Sequence, residues 1–286
     1  MKVRLITNKR PWDEEVSKFT EHLFYSHAWY NTMSRPWHMH FLAKCERSIM
    51  PILANSLNLK GYSGPWGSFG GPIGDDTLSL SLIKATFQKL RLRHLIIYRE
   101  KPLTPRDDSS NFHLNEERHE SVVLELRDPE TVFKELHENR KRNLRKALKE
   151  NFRLEILTGI EGANRYIKLL KVVKAERKNF YFHNPTTFKR IAGLENALFF
   201  FSEKGKDLAA AVILKLDRNT LFFWHGVNSL EALHSHAGDF LQWEIILYGI
   251  QNHFDLYYLG TSPNTDLLRY KLSWGGSIKE IFIYSI

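Results

Sequence analysis

The feature that most constrains the fold is an order of elements that the sequence predicts twice. In each half, strand-like segments lead into a loop, the loop into an apolar-periodic helix, and the helix into a short apolar strand. The segments of the first half are His38–Lys44, Ser48–Ala54, the glycine-rich loop Gly61–Gly74, Thr77–Arg91 and His94–Tyr98. Those of the second half are Ala197–Ser202, Leu208–Leu216, Thr220–Val227, the loop Asn228–Gly238, Asp239–His253 and Tyr257–Leu259. The repeat predicts an α/β protein with mixed sheets and two lobes, residues 1–120 and 121–286.

Between the two copies, Lys101–Glu120 is polar and contains two prolines, which predicts a connection between the lobes. Helical spacing of apolar residues also predicts one amphipathic stretch from Asp13 to Met33 and one long helix from Pro129 to Glu150. The remaining predicted elements are the strands Val3–Thr7, Arg153–Leu157 and Ile278–Tyr284, and the helices Gly162–Lys178 and Pro263–Leu272.

This order of elements predicts where a ligand binds. Antiparallel strands are followed by a loop at a helix N-terminus and then by a parallel strand. Where two such neighbouring strands diverge, the sheet opens a crevice. The helix N-terminus beside it offers unpaired N–H groups and the positive end of the helix dipole, which suit a phosphate or a carboxylate.

Composition also favours anionic partners, without choosing among nucleotides, coenzyme phosphates, tRNA and acidic lipid headgroups. Lys and Arg together number 41 against 32 for Asp and Glu, a formal net charge of +9. Cys45 is the single cysteine, so neither an intramolecular disulfide nor a cysteine-based metal site is expected. The pair His234 and His236 lacks a third ligand at a suitable spacing. The N-terminus has no signal-like apolar region, and no apolar run is long enough to span a membrane. We expect a cytoplasmic protein without a metal.

The glycine-rich loop is the first candidate ligand site. Its glycines allow close backbone approach to a ligand, and its aromatic residues provide stacking surfaces. The candidate substrate-binding residues are Trp66, Ser68, Phe69, Gly70 and Gly71. The competing interpretation is an ordinary tight connection between sheet and helix. The loop matches neither the dinucleotide fingerprint nor a P-loop.

A second candidate site is the basic run from Arg140 to Lys149. On a helix, Lys141, Arg145 and Lys149 share one face, with Arg142 beside it, and like charges at this spacing repel. An anion opposite this face would remove the repulsion. The competing interpretation is a solvated basic helix face.

A third group of residues offers chemistry in the second lobe. Lys271 lies among Tyr270, Leu272 and Trp274, so partial burial would lower its pKa or place it to hold a negative oxygen. His225, at a strand end predicted to face the crevice, is a candidate general base, and Tyr257 is another. Trp224 and Tyr270 are candidate substrate contacts. An exposed lysine and a structural histidine remain the alternatives.

Several of these segments resemble one family. Glu138–Ala147 resembles the Arg-Arg-x-Ile-Arg-Lys-Ala segment of Fem-type transferases, which are relatives in the GNAT superfamily. Further family motifs are similar to the segments Ala175–Arg177, Asp207–Ala211, Gly238–Glu244 and Leu268–Gly276, and to the first-lobe loop Gly64–Gly71. The sequence similarity covers nearly all of the second lobe and part of the first. It implies a tandem GNAT-like N-acyltransferase fold.

The resemblance also implies an activity and roles for residues. Some family members transfer amino acids from aminoacyl-tRNA to cell-wall (peptidoglycan) precursors, and others use acyl-coenzyme A. Carried over, Lys271 stabilises charge at the acyl-transfer centre, and Arg142 and Arg145 hold a substrate phosphate with support from Arg177. The family's acidic residue before the last helix is absent, because this chain reads Tyr257-Tyr258-Leu259-Gly260. The helical coiled-coil insertion of the tRNA-dependent enzymes is also absent, which favours acyl-coenzyme A as donor.

Three functions follow from these observations. The first is transfer of an acyl or aminoacyl group from acyl-coenzyme A or aminoacyl-tRNA to an amine. The second is a non-catalytic nucleic-acid-binding protein that uses the basic helix, with strongly salt-dependent binding. The third is an inactive tandem lobe that senses a ligand, which the substitution at Tyr258 would permit.

Overall fold

The computed structural model describes residues 1–103, 112, 114–177, 184–262 and 264–286. The chain divides into two compact units, Met1–Glu120 together with Lys279–Ile286, and Ser121–Ile278. The order of elements in the sequence predicts that the second lobe extends to residue 286. The structure places the last residues in the first unit because their strand pairs with a strand of that unit, Phe282 opposite Arg99 and Ser285 opposite Ile96.

The first unit is built on a mixed sheet. Its strands, numbered along the chain, are β1 (Arg4–Ile6), β2 (His38–Cys45), β3 (Ser48–Asn55), β4 (Lys60–Ser63), β5 (Ile73–Gly74), β6 (His94–Arg99) and the end of β13 (Ser277–Ser285). The strands follow the order β1-β2-β3-β4-β6-β13, and β5 pairs with β3. All of these pairs are antiparallel except β4 with β6, which run parallel from Lys60 opposite His94 to Ser63 opposite Ile97.

The prediction of one helical stretch from Asp13 to Met33 is wrong. The structure has α1 (Lys9–Val16), a turn of 3₁₀ helix (Leu23–Tyr25) and α2 (His27–Met33). Side chains inside the stretch start new helices: His22 accepts a hydrogen bond from the Phe24 N–H, and Ser26 accepts one from the Trp29 N–H. Such caps satisfy the free N–H groups of a helix start and so favour new helices over a continuous one. The predicted helix after the glycine-rich loop is present as α3 (Ser79–Lys89).

The second unit has a sheet of order β7-β12-β11-β10-β9-β8. Its strands are the end of β7 (Asn115–Glu125), β8 (Arg153–Leu157), β9 (Ala197–Glu203), β10 (Asp207–Lys215), β11 (Thr220–Asn228) and β12 (Leu256–Thr261). Its helices are α4 (Pro129–Glu135), α5 (Glu138–Ala147), α6 (Gly159–Glu176), α7 (Pro185–Ile191), α8 (Leu230–Ser235), α9 (Ala237–Gln251) and α10 (Thr265–Leu272). The predicted strands of this half are confirmed. Of the predicted connection Lys101–Glu120, residues 104–111 and 113 lie outside the described residues, and its last six residues begin β7.

The long helix predicted from Pro129 to Glu150 is also wrong, because it breaks at Leu136 and His137. Leu136 has an extended backbone with ψ 140°, and its side chain is buried. The His137 side chain then caps the next helix by accepting from the Asn139 N–H, and its own N–H donates to Ser273 O at 3.0 Å. The break turns α5 so that Leu144 and Ala147 are buried in the core of the unit.

Apolar residues of the second unit are buried on both faces of its sheet, against α6 on one face and α9 on the other. This helix is apolar on most of its surface, with Leu241, Ile245 and Ile246 buried, because it packs against the sheet on one side and α5 on the other. Of the helices in the described part of the chain, none is long and apolar enough to cross a membrane.

Candidate active site

A crevice opens in the second unit where two parallel strands separate. β11 and β12 pair only from Thr220 opposite Leu256 to Phe222 opposite Tyr258. Beyond that point, residues of both strands line a cavity of about 180 Å³. The crevice predicted from the order of elements is therefore present.

The walls of this crevice come from several elements. Ala210 and Ala211 of β10 form part of it, and the first turns of α9 contribute Gly238 and Gln242. The remaining lining residues belong to β11, β12, α9 and α10: Phe223, Gly226, Val227, Asn228, Leu241, Leu259, Leu267, Tyr270 and Lys271. Most of these side chains are small or apolar, so the crevice resembles a ligand site with a few polar groups.

Lys271 is the cationic group of the crevice. It is 8% exposed, and its Nζ donates hydrogen bonds to the backbone oxygens of Gly260 and Thr261 at 2.8 and 2.7 Å. Gly260 has a positive φ of 72°, a conformation that glycine adopts without the strain of a side chain. Burial lowers the pKa of Lys271 from 10.5 to about 8. The sequence prediction of a buried lysine with a lowered pKa agrees with this geometry.

Arg140, which the sequence analysis did not select, fixes the helix that carries Lys271. Its guanidinium group forms an ion pair with Asp239 of α9, and both side chains are largely buried. Its Nε donates to Ser273 Oγ at 3.2 Å, and the guanidinium lies 4.5 Å from the Tyr270 ring centroid and 5.1 Å from that of Trp274. Arg140 thus joins α5, α9 and α10 beside the crevice. Its place in the same basic run as Arg142 was the signal that could have found it.

The other arginines selected from the sequence lie outside the crevice lining. Arg142 and Arg145 are exposed on α5, and Arg145 lies 5.7 Å from the Phe133 ring centroid. Arg177 is half-buried and donates to the Asn228 backbone oxygen at 2.8 Å, so it supports a residue of the crevice wall.

The other two predicted catalytic residues, His225 and Tyr257, and the predicted substrate contact Trp224 make contacts outside the crevice. His225 Nδ1 and the Tyr166 hydroxyl are 2.6 Å apart, and the histidine ring packs on Phe188 of α7. Trp224 also packs on Phe188 and is buried. Tyr257 is fully buried, and its hydroxyl accepts a hydrogen bond from Gln242 Nε2 at 3.0 Å. Burial raises the pKa of Tyr257 well above its ordinary value of 10.0. None of the three is among the described residues that line the crevice.

Residues 135–272 match the family model of the acetyltransferase (GNAT) domain. This part of the chain is a GNAT domain. It holds Arg140, the crevice and Lys271, and the match supports acyltransferase activity in the broad sense. The sequence resemblance to the GNAT superfamily is therefore confirmed. No protein with a curated description matches the sequence.

Solved structures extend the similarity in fold to nearly the whole chain. FemX has 11% identity and a TM-score of 0.69, with 99% of this chain and 97% of that chain covered. L-PGS from Bacillus licheniformis has 10% identity and a TM-score of 0.65, with coverage of 97% and 91%. A tandem GNAT protein from the clavulanic acid biosynthesis pathway has 10% identity and a TM-score of 0.57, with coverage of 100% and 98%. The predicted tandem GNAT-like α/β fold is confirmed.

The glycine-rich loop lies in the first unit, outside the GNAT domain, and packs on itself. The Gly70 N–H donates to the Tyr98 backbone oxygen at 2.7 Å, and the Gly70 oxygen accepts from the Tyr25 hydroxyl at 2.7 Å. Tyr98 directly follows the last pair between β4 and β6, so the loop fills the place where these strands would diverge. A Cβ on Gly70 would lie 2.4 Å from the Gly64 nitrogen, which explains the need for glycine.

Three more loop residues selected from the sequence make contacts inside the first unit. Ser68 Oγ accepts from Trp29 Nε1 at 3.1 Å and donates to the Pro65 oxygen at 2.7 Å. Phe69 is buried against Phe24. The Gly71 N–H donates to Ser63 Oγ at 2.8 Å. These contacts agree with the interpretation of the loop as a tight connection.

Trp66 is the aromatic residue of the predicted substrate-binding set that lines a cavity beside Arg35. It has a φ of 60°, which is rare for a bulky residue, and it lines a cavity of about 340 Å³ together with Tyr62 and Tyr98. The Arg35 guanidinium lies 5.0 Å from the Trp66 ring centroid, and Trp37 is 41% exposed at the same cavity. The cavity offers aromatic surfaces and one cation.

Proposed function

We propose that the protein is an N-acyltransferase whose acyl donor binds in the crevice of the GNAT domain. The observation that carries the proposal is Lys271, a buried amine held by two backbone oxygens at a crevice lined mostly by small and apolar groups. When an amine attacks an ester or thioester carbonyl, negative charge develops on the carbonyl oxygen. A cation in surroundings that exclude water stabilises that charge far more than it would in water.

The first turn of α9 bears on the identity of the donor. The pyrophosphate of acyl-coenzyme A would bind at the free N–H groups and the positive dipole end of such a helix. Here the first turn holds Asp239, which is paired with Arg140. Because Arg140 offsets the charge of this carboxylate, the helix end accepts a donor with or without a pyrophosphate.

The exposed face of α5 fits an RNA donor. Arg142 and Arg145 are exposed on α5, a helix that packs on α9, in a chain with a net charge of +9. Exposed arginines bind phosphates through charge and paired hydrogen bonds. We assign these two residues to the phosphate backbone of the donor. Arg177 supports the crevice wall at Asn228 instead.

The cavity at Trp66 in the first unit is the second proposed binding site. A planar group stacks on Trp66, and Arg35 contributes a positive charge for an anionic substituent. A bulky residue with φ near 60° stores backbone strain, which is more common at binding sites than elsewhere. The packed residues Ser68, Phe69, Gly70 and Gly71 then support the loop that presents Trp66.

The donor is tested by ligand-dependent thermal stability. The probes are acetyl-coenzyme A and an adenosine that carries alanine through a stable amide bond, since a ligand that binds the native state raises the Tm by mass action. We expect a rise with the alanyl-adenosine amide and a smaller one with acetyl-coenzyme A. Ala211→Phe, which fills the crevice, should abolish the rise, whereas Ala192→Phe, outside the crevice lining, should preserve it.

Transfer itself is tested with the alanyl ester of adenosine, acetyl-coenzyme A and hydroxylamine as a small acceptor, with the hydroxamate product measured. Product formation that is lost in Ala211→Phe supports the proposal. Salt-sensitive RNA binding without transfer from either donor contradicts it and favours the nucleic-acid-binding function instead.

A further inference from the structure

The proposed reaction needs a base, and the crevice has few candidates. Most acceptor amines are protonated at neutral pH and cannot attack until they lose a proton. His225 contacts Tyr166 and Phe188, and Tyr257 is buried behind Gln242. Of the described residues that line the crevice, only Tyr270 and Lys271 titrate, and none carries a carboxylate.

Tyr270 is poorly suited to accept the proton. Burial of its hydroxyl raises its pKa, so it holds its own proton at neutral pH. A neutral phenol that keeps its proton can donate a hydrogen bond, but it is a weak base. Lys271 is the remaining group.

The hydrogen bonds of Lys271 suit a neutral amine. In the described part of the chain its Nζ has two partners, the oxygens of Gly260 and Thr261. A neutral amine has two N–H bonds and one lone pair. With both N–H bonds donated to these oxygens, the lone pair occupies the remaining tetrahedral position on the nitrogen. A protonated amine has a third N–H bond in that position.

The surroundings of Lys271 also favour the neutral form. Leu259, Leu267 and Tyr270 line the same crevice, and none of the described lining residues carries a carboxylate that would hold the ammonium charge. Burial lowers its pKa to about 8, so the neutral amine is the minor form at pH 7 but is far more populated than in an ordinary lysine.

We propose that Lys271 is the general base of the reaction. This inference rests on the proposed acyltransferase function. Neutral Lys271 takes one proton from the acceptor ammonium, and the resulting amine attacks the donor carbonyl. The new C–N bond forms as the carbonyl electron pair moves to oxygen.

The protonated Lys271 then serves the next step. Its third N–H bond donates to the oxyanion of the tetrahedral intermediate. The intermediate collapses, the bond to the leaving oxygen or sulfur breaks, and the leaving group takes a proton from the attacking nitrogen. Lys271 releases its own proton to solvent. In the overall reaction, an ammonium and an ester or thioester give an amide, the free alcohol or thiol and one proton.

Two acceptors of different charge test the assignment. Ethylamine is protonated at pH 7, whereas hydroxylamine is neutral and needs no base before attack. The donor is the alanyl ester of adenosine, with acetyl-coenzyme A run in parallel. Lys271→Arg keeps a positive charge but cannot accept a proton, because arginine does not deprotonate in proteins. We expect this variant to lose about a hundredfold or more with ethylamine and less than about tenfold with hydroxylamine.

The controls separate the possible failures. Equal losses with the two acceptors overturn the base assignment and leave Lys271 as an electrostatic residue within an intact proposed function. No transfer by the wild-type protein to hydroxylamine overturns the proposed function itself. Lys171→Arg, a change at an exposed lysine of α6, should leave both rates unchanged. Should Lys271→Arg fail to fold, acetic anhydride labelling of Lys271 in the wild-type protein, followed by mass spectrometry across pH, replaces it. Half-maximal labelling near pH 8 supports the neutral amine, and a pH dependence of labelling like that of the exposed Lys171 overturns it.

Discussion

Replacing Lys271 with methionine should change how the stability of the fold depends on pH. Methionine has a similar length and no charge, so it removes the cost of burying an ammonium group. The structure buries this group and lowers its pKa from 10.5 to about 8. A lowered pKa of a base means that the folded state binds the proton less tightly than the unfolded state does.

The magnitude and the sign follow from that difference. Below pH 8, the folded and unfolded states both carry the proton, and burial of the charge costs about 3 kcal/mol. Between pH 8 and 10.5 the unfolded state binds more protons, so the stability of the wild-type protein rises with pH. Above pH 10.5 the amine is neutral in both states, so burying it no longer carries the free-energy cost of burying a charge. The free energy of unfolding of the wild type, relative to Lys271→Met, should therefore increase by about 3 kcal/mol from pH 7 to above pH 10.5.

Urea denaturation of both proteins at several pH values measures this difference. The other titrating groups are the same in both proteins, so their effects on the pH dependence cancel when the two free energies of unfolding are subtracted. The loss of hydrogen bonds to Gly260 and Thr261 costs about 1 to 3 kcal/mol each, but this cost does not depend on pH. Lys149→Met, at an exposed lysine, provides the matched control. A difference between wild type and Lys271→Met that stays constant across this pH range would refute the reasoning, because the ammonium would then be as well solvated as in the unfolded chain.

Three further predictions concern stability and reactivity. Arg140→Leu removes the arginine partner of the buried Asp239 carboxylate, which keeps His236 Nδ1 at 3.3 Å, so urea denaturation should show a loss of about 3 kcal/mol. The double variant with Asp239→Leu should recover part of this loss, and a loss below about 1 kcal/mol would contradict the burial of the pair. Gly70→Ala should lower the free energy of unfolding by more than about 3 kcal/mol, because the added Cβ would collide with backbone atoms. Gly67→Ala has open space around it and should cost about 1 to 2 kcal/mol, because its φ is positive. Equal Tm values for the two variants would argue against the packed loop. Burial raises the pKa of the Cys45 thiol, so a thiol-reactive dye should label it only after denaturant unfolds the first unit; rapid labelling of the folded protein would show that the thiol is accessible.

Local patterns in the sequence determined most of the secondary structure. Apolar segments separated by polar turn residues identified the strands of the second unit, and the order strand, loop, helix, strand predicted the crevice between β11 and β12. Lys271 was also a candidate from the sequence, because its apolar neighbours along the chain made partial burial one of two interpretations. These features depend on residues that are close in sequence, so one chain is enough to predict them.

Helix breaks were harder to predict, because they depend on caps that compete with an unbroken apolar pattern. The residues Leu136 and His137 continue the helical spacing, but the His137 N–H bonds to Ser273, far along the chain. The same break turns α5 so that Arg140 reaches Asp239 while Arg142 and Arg145 stay exposed. The sequence indicated a basic helix, and the packing of α5 on α9 decided which arginine lies beside the crevice.

The direction of His225 was decided by the register of the sheet. Strand alternation assigns a face only if pairing is regular, and the pairing of β10 with β11 shifts between Val212 and Ile213, so that His225 and Phe223 oppose consecutive residues. His225 meets Tyr166 as a result, and Phe223 lines the crevice. The sequence determined most of the strands and made Lys271 a candidate site residue. Only the tertiary structure decided which side chains share the crevice, because register and helix packing depend on partners that are distant in the chain.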